Sequence, residues 1–210
     1  MLTAIAPLVF IVDDNPSVRK SLSRLLAAAG YRVEAFASAG EFLMREPSKG
    51  PCCLVLDVRM PGLTGIELQE ALAAAGRRMS IVFVTGHVDV PMSVKAMKSG
   101  AVDLLTKPID QAELLAAIAR AVAKDATDLS DETRIAEIRQ RVKLLTVRET
   151  EVFALVVTGM LNKQIAYDLG IGEKTLKVHR ARVMEKMRAA SVAELVRLAD
   201  AVGVTVPRAS

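Results

Sequence analysis

The stretch CLVLDVRMPGLTG, Cys53 to Gly65, is a nearly continuous apolar run that ends in a carboxylate and breaks into a loop of Pro and Gly. Such a run suits a strand buried on both faces of a parallel sheet. Asp57 then stands at the strand's carboxyl end, the edge at which open α/β sheets hold their ligands. Working outward, similar runs occur at LVFIV (8–12), YRVEAF (31–36), IVFVT (81–85) and VDLLT (102–106). Helical apolar spacing fills the gaps, near 16–29, 38–45, 64–75, 90–99 and 110–123. Five β-then-α units predict an α/β fold, a doubly wound five-stranded parallel sheet with helices on both sides.

The strand ends carry a distinctive set of residues. The first ends in Asp13 and Asp14, the third in Asp57, the fourth in Thr85 and the fifth in Lys107. If the sheet forms, these converge. Crowded carboxylates repel unless a cation sits among them, and oxygen ligands of this kind suit Mg²⁺. With an ammonium and a hydroxyl added, the set forms a site for phosphoryl oxygens, and a carboxylate can be the nucleophile. Asp57 is the best candidate for that role.

Composition narrows the rest. Of 210 residues, 51% are hydrophobic and only 3% aromatic, so an aliphatic core is expected and disorder is not. No apolar run approaches the roughly 20 residues needed to cross a bilayer. The first residues lack the basic start and cleavage site of a signal peptide, so the expected location is cytoplasmic, with no membrane partner. The adjacent Cys52 and Cys53 read as small core residues at a strand start rather than a bridge or metal site. Charge is uneven: residues 143–210 hold 11 basic and 7 acidic residues, which equals the whole net charge of +4. That places an anionic partner at the C-terminal third.

The tract 123–142 has few core residues, with Ile135, Ile138 and Val142 on one helical face and Ser130 as an expected cap. It reads as a helical linker. Beyond it, four compact helices are expected. Thr146 with Glu149 opens the first, Asn162 caps a short second, the third spans roughly 173–187, and Ser191 with Glu194 opens the fourth. On a helical wheel Leu176, Val183 and Met187 share one face, with His179 and Arg180 at its edges. Lys174, Lys177, Val178, Ala181 and Arg182 gather on the other, a surface that fits the major groove.

The motifs VDDN (12–15), LDVRMPGLTG (56–65), VTGH (84–87) and LTKP (105–108) resemble receiver domains of two-component response regulators. The stretch GHVDVPMSVKAMKSGAVD (86–103) looks like the FixJ-type subgroup. NKQIAYDLGI (162–171) and KTLKVHRARVMEKM (174–187) resemble the LuxR/GerE-type helix-turn-helix. The resemblance implies a flavodoxin-like receiver at 1–122, a helical linker at 123–141 and an all-α four-helix DNA-binding domain at 142–206. It implies that Asp57 accepts phosphoryl from a sensor histidine kinase. Mg²⁺ would be held by Asp13, Asp14, Asp57 and the backbone carbonyl of Arg59, while Thr85 and Lys107 respond to the phosphoryl group. It further implies that Asn162, Lys163, Lys174, Thr175, Lys177, Val178, Ala181 and Arg182 lie at or near double-stranded promoter DNA. Val192, Leu195, Val196 and Ala199 would pair two DNA-binding domains in a phosphorylation-promoted homodimer, with RNA polymerase as a further partner. Two departures stand out. Leu104 occupies a switch position where such receivers carry Phe or Tyr, and Gly172 stands where a Ser or Asp cap is frequent. His87, two residues past Thr85, either orients water or faces solvent.

Two other readings compete. A Mg²⁺-dependent phosphohydrolase with an aspartyl nucleophile would carry a second Asp two residues after it, where this chain has Arg59, so enzymatic activity should stop at self-phosphorylation and slow self-hydrolysis. A DNA-binding protein with a merely structural receiver has only Leu104 in its favour.

Overall fold

The structure, a computed structural model, describes residues 6–48, 50–86 and 89–204. It contains two compact units, one up to Leu129 and one from Ser130.

In the first unit the chain alternates strand and helix: β1 (Leu8–Val12), α1 (Pro16–Ala28), β2 (Arg32–Phe36), α2 (Ala39–Leu43), β3 (Cys52–Asp57), α3 (Gly65–Ala74), β4 (Ile81–Thr85), α4 (Val90–Lys98) and β5 (Asp103–Thr106). All strands run parallel in the order β2-β1-β3-β4-β5. Alternate strand residues feed opposite faces. Phe10, Leu54, Leu56 and Phe83 pack on one side with Phe42, and Val9, Ile11, Val55, Val82 and Val84 on the other with Leu114 and Ile118. Cys53 lies in the second of these layers and Cys52 in the first. Burial, helped by the nearby Asp125 carboxyl, pushes the Cys52 thiol up to about 12, so both cysteines act as core residues.

The sheet order reverses between β1 and β3, and the crevice at that switch point is where such sheets bind ligands. Local chemistry sets its walls. The Asn15 side chain accepts from the Ser17 N–H and starts α1, with Pro16 at the first helical position. Thr64 and Glu67 form a reciprocal capping box that starts α3. Gly65 is required there, since a Cβ would come within 2.3 Å of the Asp57 carbonyl oxygen. The opening stretch therefore folds back on itself, and the Gly65 N–H donates to the Val58 carbonyl.

The next helix, α5, runs unbroken over Gln111–Lys143. Ser130 lies inside it and caps nothing, because helical backbone continues on both sides. Asp125, in the tract read as linker, is buried and accepts from the Cys52 N–H at 2.9 Å, tying α5 to the amino end of β3. Burial pushes its carboxyl above the ordinary carboxylate range, against the pull of that hydrogen bond.

The second unit holds the end of α5 followed by α6 (Val147–Val156), α7 (Asn162–Asp168), α8 (Glu173–Met187) and α9 (Val192–Ala201). Their core joins Ile138, Val152, Phe153, Ile165, Leu176, Val183, Met187 and Leu195. The Thr146–Glu149 box forms as expected. The second expected cap does not: Leu161 takes that position, its N–H satisfied by the Gln164 side chain, and Asn162 is the first helical residue. At α9 the Ser191 hydroxyl accepts from the Glu194 N–H, but Glu194 reaches Ala190 rather than Ser191.

Candidate phosphoacceptor pocket and nucleic-acid interface

The carboxyl ends of β1, β3 and β5 bring Asp13, Asp57 and Lys107 into direct contact. The Lys107 ammonium donates to Asp13 Oδ2 at 2.7 Å and to Asp57 Oδ2 at 2.6 Å. Asp13 and Asp57 are 2% and 7% exposed, whereas Asp14 faces solvent. Carboxylate oxygens of all three lie within 4.8 Å of one another. Three carboxylates against one ammonium leave an excess of two negative charges on an all-oxygen donor set, which fits a hard divalent cation.

The two buried carboxylates are aimed by backbone. The Arg59 N–H donates to Asp57 Oδ1 at 3.0 Å, and the Asn15 N–H donates to Asp13 Oδ1 at 2.8 Å. Asp57 thus offers one oxygen to the loop and one to Lys107. Burial pushes its carboxyl above the usual range, and the bonds from Lys107 and Arg59 only partly offset this. Burial alone would lower Lys107, but its bonds to Asp13 and Asp57 outweigh it and hold the ammonium above its usual value. Thr85 is buried at the end of β4, its carbonyl accepting the Lys107 N–H at 2.8 Å. Leu104 is half-buried, pairs with Phe83 on β4 and packs against the core layer of Phe10 and Leu54. Arg59 is exposed, and His87 lies outside the described residues.

In the second unit α8 turns Leu176, Val183 and Met187 inward, all fully buried. Lys174, Thr175, Lys177, Val178, Ala181 and Arg182 are exposed on the same helix, as is Lys163 on α7. Lys186 takes no part in that face: its ammonium bonds Glu149 at 2.6 Å, and this pair with the Thr146 cap holds the Glu149 carboxyl below its usual range.

The sequence profile of the response regulator receiver domain matches residues 9–119, and that of the bacterial regulatory proteins of the luxR family matches residues 143–199. Nodulation protein W of Bradyrhizobium diazoefficiens is 43% identical over 198 residues, which cover 94% of this chain and 87% of that protein. The transcriptional regulatory protein FixJ of Azorhizobium caulinodans is 44% identical over 196 residues, 93% of each. The chain belongs to the FixJ-type response regulators. Among solved structures, response regulator StyR superposes with a TM-score of 0.81 at 45% identity, covering 93% of this chain and 99% of that one. Full-length FixJ from B. japonicum gives 0.56 at 42% identity, covering 93% and 97%. As a two-component response regulator, the protein binds DNA and controls transcription. Its receiver takes a phosphoryl group on an aspartate, releases it by self-hydrolysis and answers to a sensor kinase. No described helix is long and apolar enough to cross a membrane.

One expected surface of this response regulator needs correction. Leu195 and Ala199 are 0% and 1% exposed, because the unit's small core consumes the inward face of α9. They have no surface to offer a second copy. Val192 and Val196 sit half-buried at the edge of that face.

Other residues near the sites escaped sequence reasoning. Arg19 Nη1 donates to the Asp13 carbonyl at 2.6 Å and braces the loop that carries both N-terminal carboxylates. Its place one turn into α1 gave no hint, since a basic residue there usually faces solvent. Arg180 bonds Asn162 rather than standing free at the edge of α8. Both bonds join residues whose distance is set by tertiary packing.

Proposed function

We propose that Asp57 is the phosphoacceptor of this response regulator. The observation that carries the reading is the Lys107 ammonium bridging Asp13 and Asp57 at the sheet's switch point. The free Asp57 carboxylate attacks phosphorus in line. An oxygen–phosphorus bond forms as the bond from phosphorus to the kinase histidine nitrogen breaks, and that nitrogen keeps the electron pair. Asp13, Asp14, Asp57 and the Arg59 carbonyl would hold Mg²⁺, which neutralises charge on the phosphoryl oxygens when bound. The Arg59 N–H keeps Asp57 oriented, and Lys107 transfers a hydrogen bond from Asp57 to a phosphoryl oxygen. The Thr85 hydroxyl supplies another donor. The exposed Arg59 offers no carboxylate to activate water, so self-hydrolysis is slow.

The added charge of about −2 then favours a receiver dimer through α4 and β5. An apolar stripe on α4, with Val90 75%, Val94 45% and Met97 47% exposed at spacings of four and three, supports this surface. Leu104 transmits the change less strongly than a ring would. The functional division is receiver 1–122, linker 123–141 and DNA-binding domain 142–206. Dimerisation places two α8 helices on a two-fold promoter site, Lys174, Thr175, Lys177, Val178, Ala181 and Arg182 facing the groove, Asn162 and Lys163 the backbone. Val192 and Val196 pair the two domains, RNA polymerase is a further partner, and the protein works in the cytoplasm.

The test adds a small phosphoryl donor or beryllofluoride with Mg²⁺ and measures dimerisation and DNA binding for wild type and Asp57→Asn. Both responses are expected in wild type and neither in the variant, and chelating Mg²⁺ is expected to remove them. Binding that ignores the donor and the substitution alike would sink the reading.

A further inference from the structure

The start of α7 and the inner edge of α8 meet through a hydrogen bond in which Arg180 Nη1 donates to Asn162 Oδ1 at 2.5 Å. A guanidinium has five N–H donors and no acceptor, so the Asn162 amide must turn its oxygen to Arg180 and its NH₂ group away. An unpartnered asparagine on a surface has no such fixed orientation. Both residues are half-buried, which strengthens a charge-assisted bond relative to one in open water. On the α8 wheel Arg180 lies about 40° from the inward-facing Leu176, far from the outward Val178 and Ala181. Its cationic head therefore serves α7 and not the groove-facing surface.

In a helix-turn-helix the helix preceding the recognition helix crosses the sugar–phosphate backbone. Asn162 is the first residue of α7 and stands beside the exposed Lys163. We propose that Arg180 is a positioning residue for DNA binding, which fixes the Asn162 carboxamide so that its NH₂ group is presented to a backbone phosphate. This rests on the reading of Asn162 as a phosphate contact. It assigns Arg180 a part in affinity and none in base choice, since phosphate contacts carry no direct sequence information.

The test uses the full-length chain and two labelled duplexes, one enriched from a random pool by the wild-type protein and one scrambled, with binding read by fluorescence anisotropy. Arg180→Ala and Asn162→Ala are each expected to weaken both duplexes by about fivefold, the worth of one hydrogen bond. The double variant is expected to lose no more than either single one, the signature of residues acting as a unit. Arg180→Lys, which keeps a cationic donor, should recover part of the loss. Asn162→Asp keeps the partner of Arg180 but turns an anionic oxygen toward the phosphate, so it should fold normally and bind more weakly than Asn162→Ala. Wild-type binding by Asn162→Ala would remove the phosphate contact itself. A loss in Asn162→Ala with none in Arg180→Ala, or losses that multiply in the double variant, would overturn the positioning role alone. Weakening of the enriched duplex only would make Arg180 a base reader and equally overturn it.

Discussion

In the receiver pocket the buried charged groups already hold one another: Asp13 and Asp57 share the Lys107 ammonium, with backbone N–H groups on their remaining oxygens. On α8 the cations Lys174, Lys177 and Arg182 point into solvent and form no ion pair among the described residues. Removing one member of a buried set leaves the others uncompensated in a poorly solvated place. Removing one member of an exposed set subtracts a screened interaction with a partner still to arrive. The pocket should therefore respond to substitution in an all-or-none way, and the DNA-facing helix in graded steps.

The largest expected effect breaks the pocket alone. Asp57→Asn should drop phosphoryl incorporation from a small donor to background on a phosphate-affinity gel, while unstimulated affinity for mixed-sequence DNA stays as in wild type. A change in that affinity would mean the two regions are not separable.

A second substitution asks whether the DNA-binding unit contains a matched buried set of its own. Glu149→Gln should cost that unit about 2 kcal/mol, because the Lys186 ammonium and the Thr146 N–H lose a charged acceptor. Folding holds the Glu149 carboxyl below its unfolded value. The unfolded chain therefore binds the proton more readily, and the contribution is present above the unfolded value near 4.3 and lost as pH falls through the folded one. The melting-temperature gap between wild type and variant should accordingly be wide at neutral pH and close in acid. A gap that widened in acid would contradict the assignment.

The graded side of the comparison is tested by Lys177→Ala. We expect a loss of up to about tenfold in DNA affinity, and a slope of log affinity against log salt shallower by about one if Lys177 meets a phosphate. An unchanged slope with lost sequence preference would make it a base reader instead.

The smallest effect concerns the link between the two regions. Leu104→Phe should leave phosphoryl incorporation unchanged and enlarge the phosphorylation-induced shift in the dimer constant by a few fold, read by analytical ultracentrifugation. An unchanged shift would show that the pocket signals through other residues.

Much of this architecture was legible before folding. All five strands lie within a residue or two of the apolar runs. Strands β1, β3 and β4, buried along their whole length, show the unbroken hydrophobicity that burial on both faces demands, while the edge strands β2 and β5 are only partly buried. Asp13, Asp57 and Lys107 were legible as a set, since parallel strands bring their carboxyl ends to one edge. The inward face of α8 followed from its periodicity. The failures share a cause. Ser130 and Asn162 looked like caps because their side chains cap helices elsewhere, yet α5 runs through the first and Arg180 holds the oxygen of the second. Leu195 and Ala199 were expected to pair because the resemblance implies it, whereas here the unit's own core covers both, and an apolar stripe does not say which partner covers it.

By itself the sequence determined which residues are apolar at what period, and hence the order of strands and helices and the residue types at each strand end. It also set the chemistry on offer: three carboxylates, one ammonium and a row of cations on one helix. Tertiary structure alone decided which of these groups touch. That Asp125 reaches the start of β3, that Arg19 braces the Asp13 loop, and that Arg180 turns to Asn162 depend on distances across 73, 6 and 18 residues of chain. The physical reason is that periodicity records how much water a side chain avoids, whereas a hydrogen bond needs a partner within about 3 Å, and packing sets that distance.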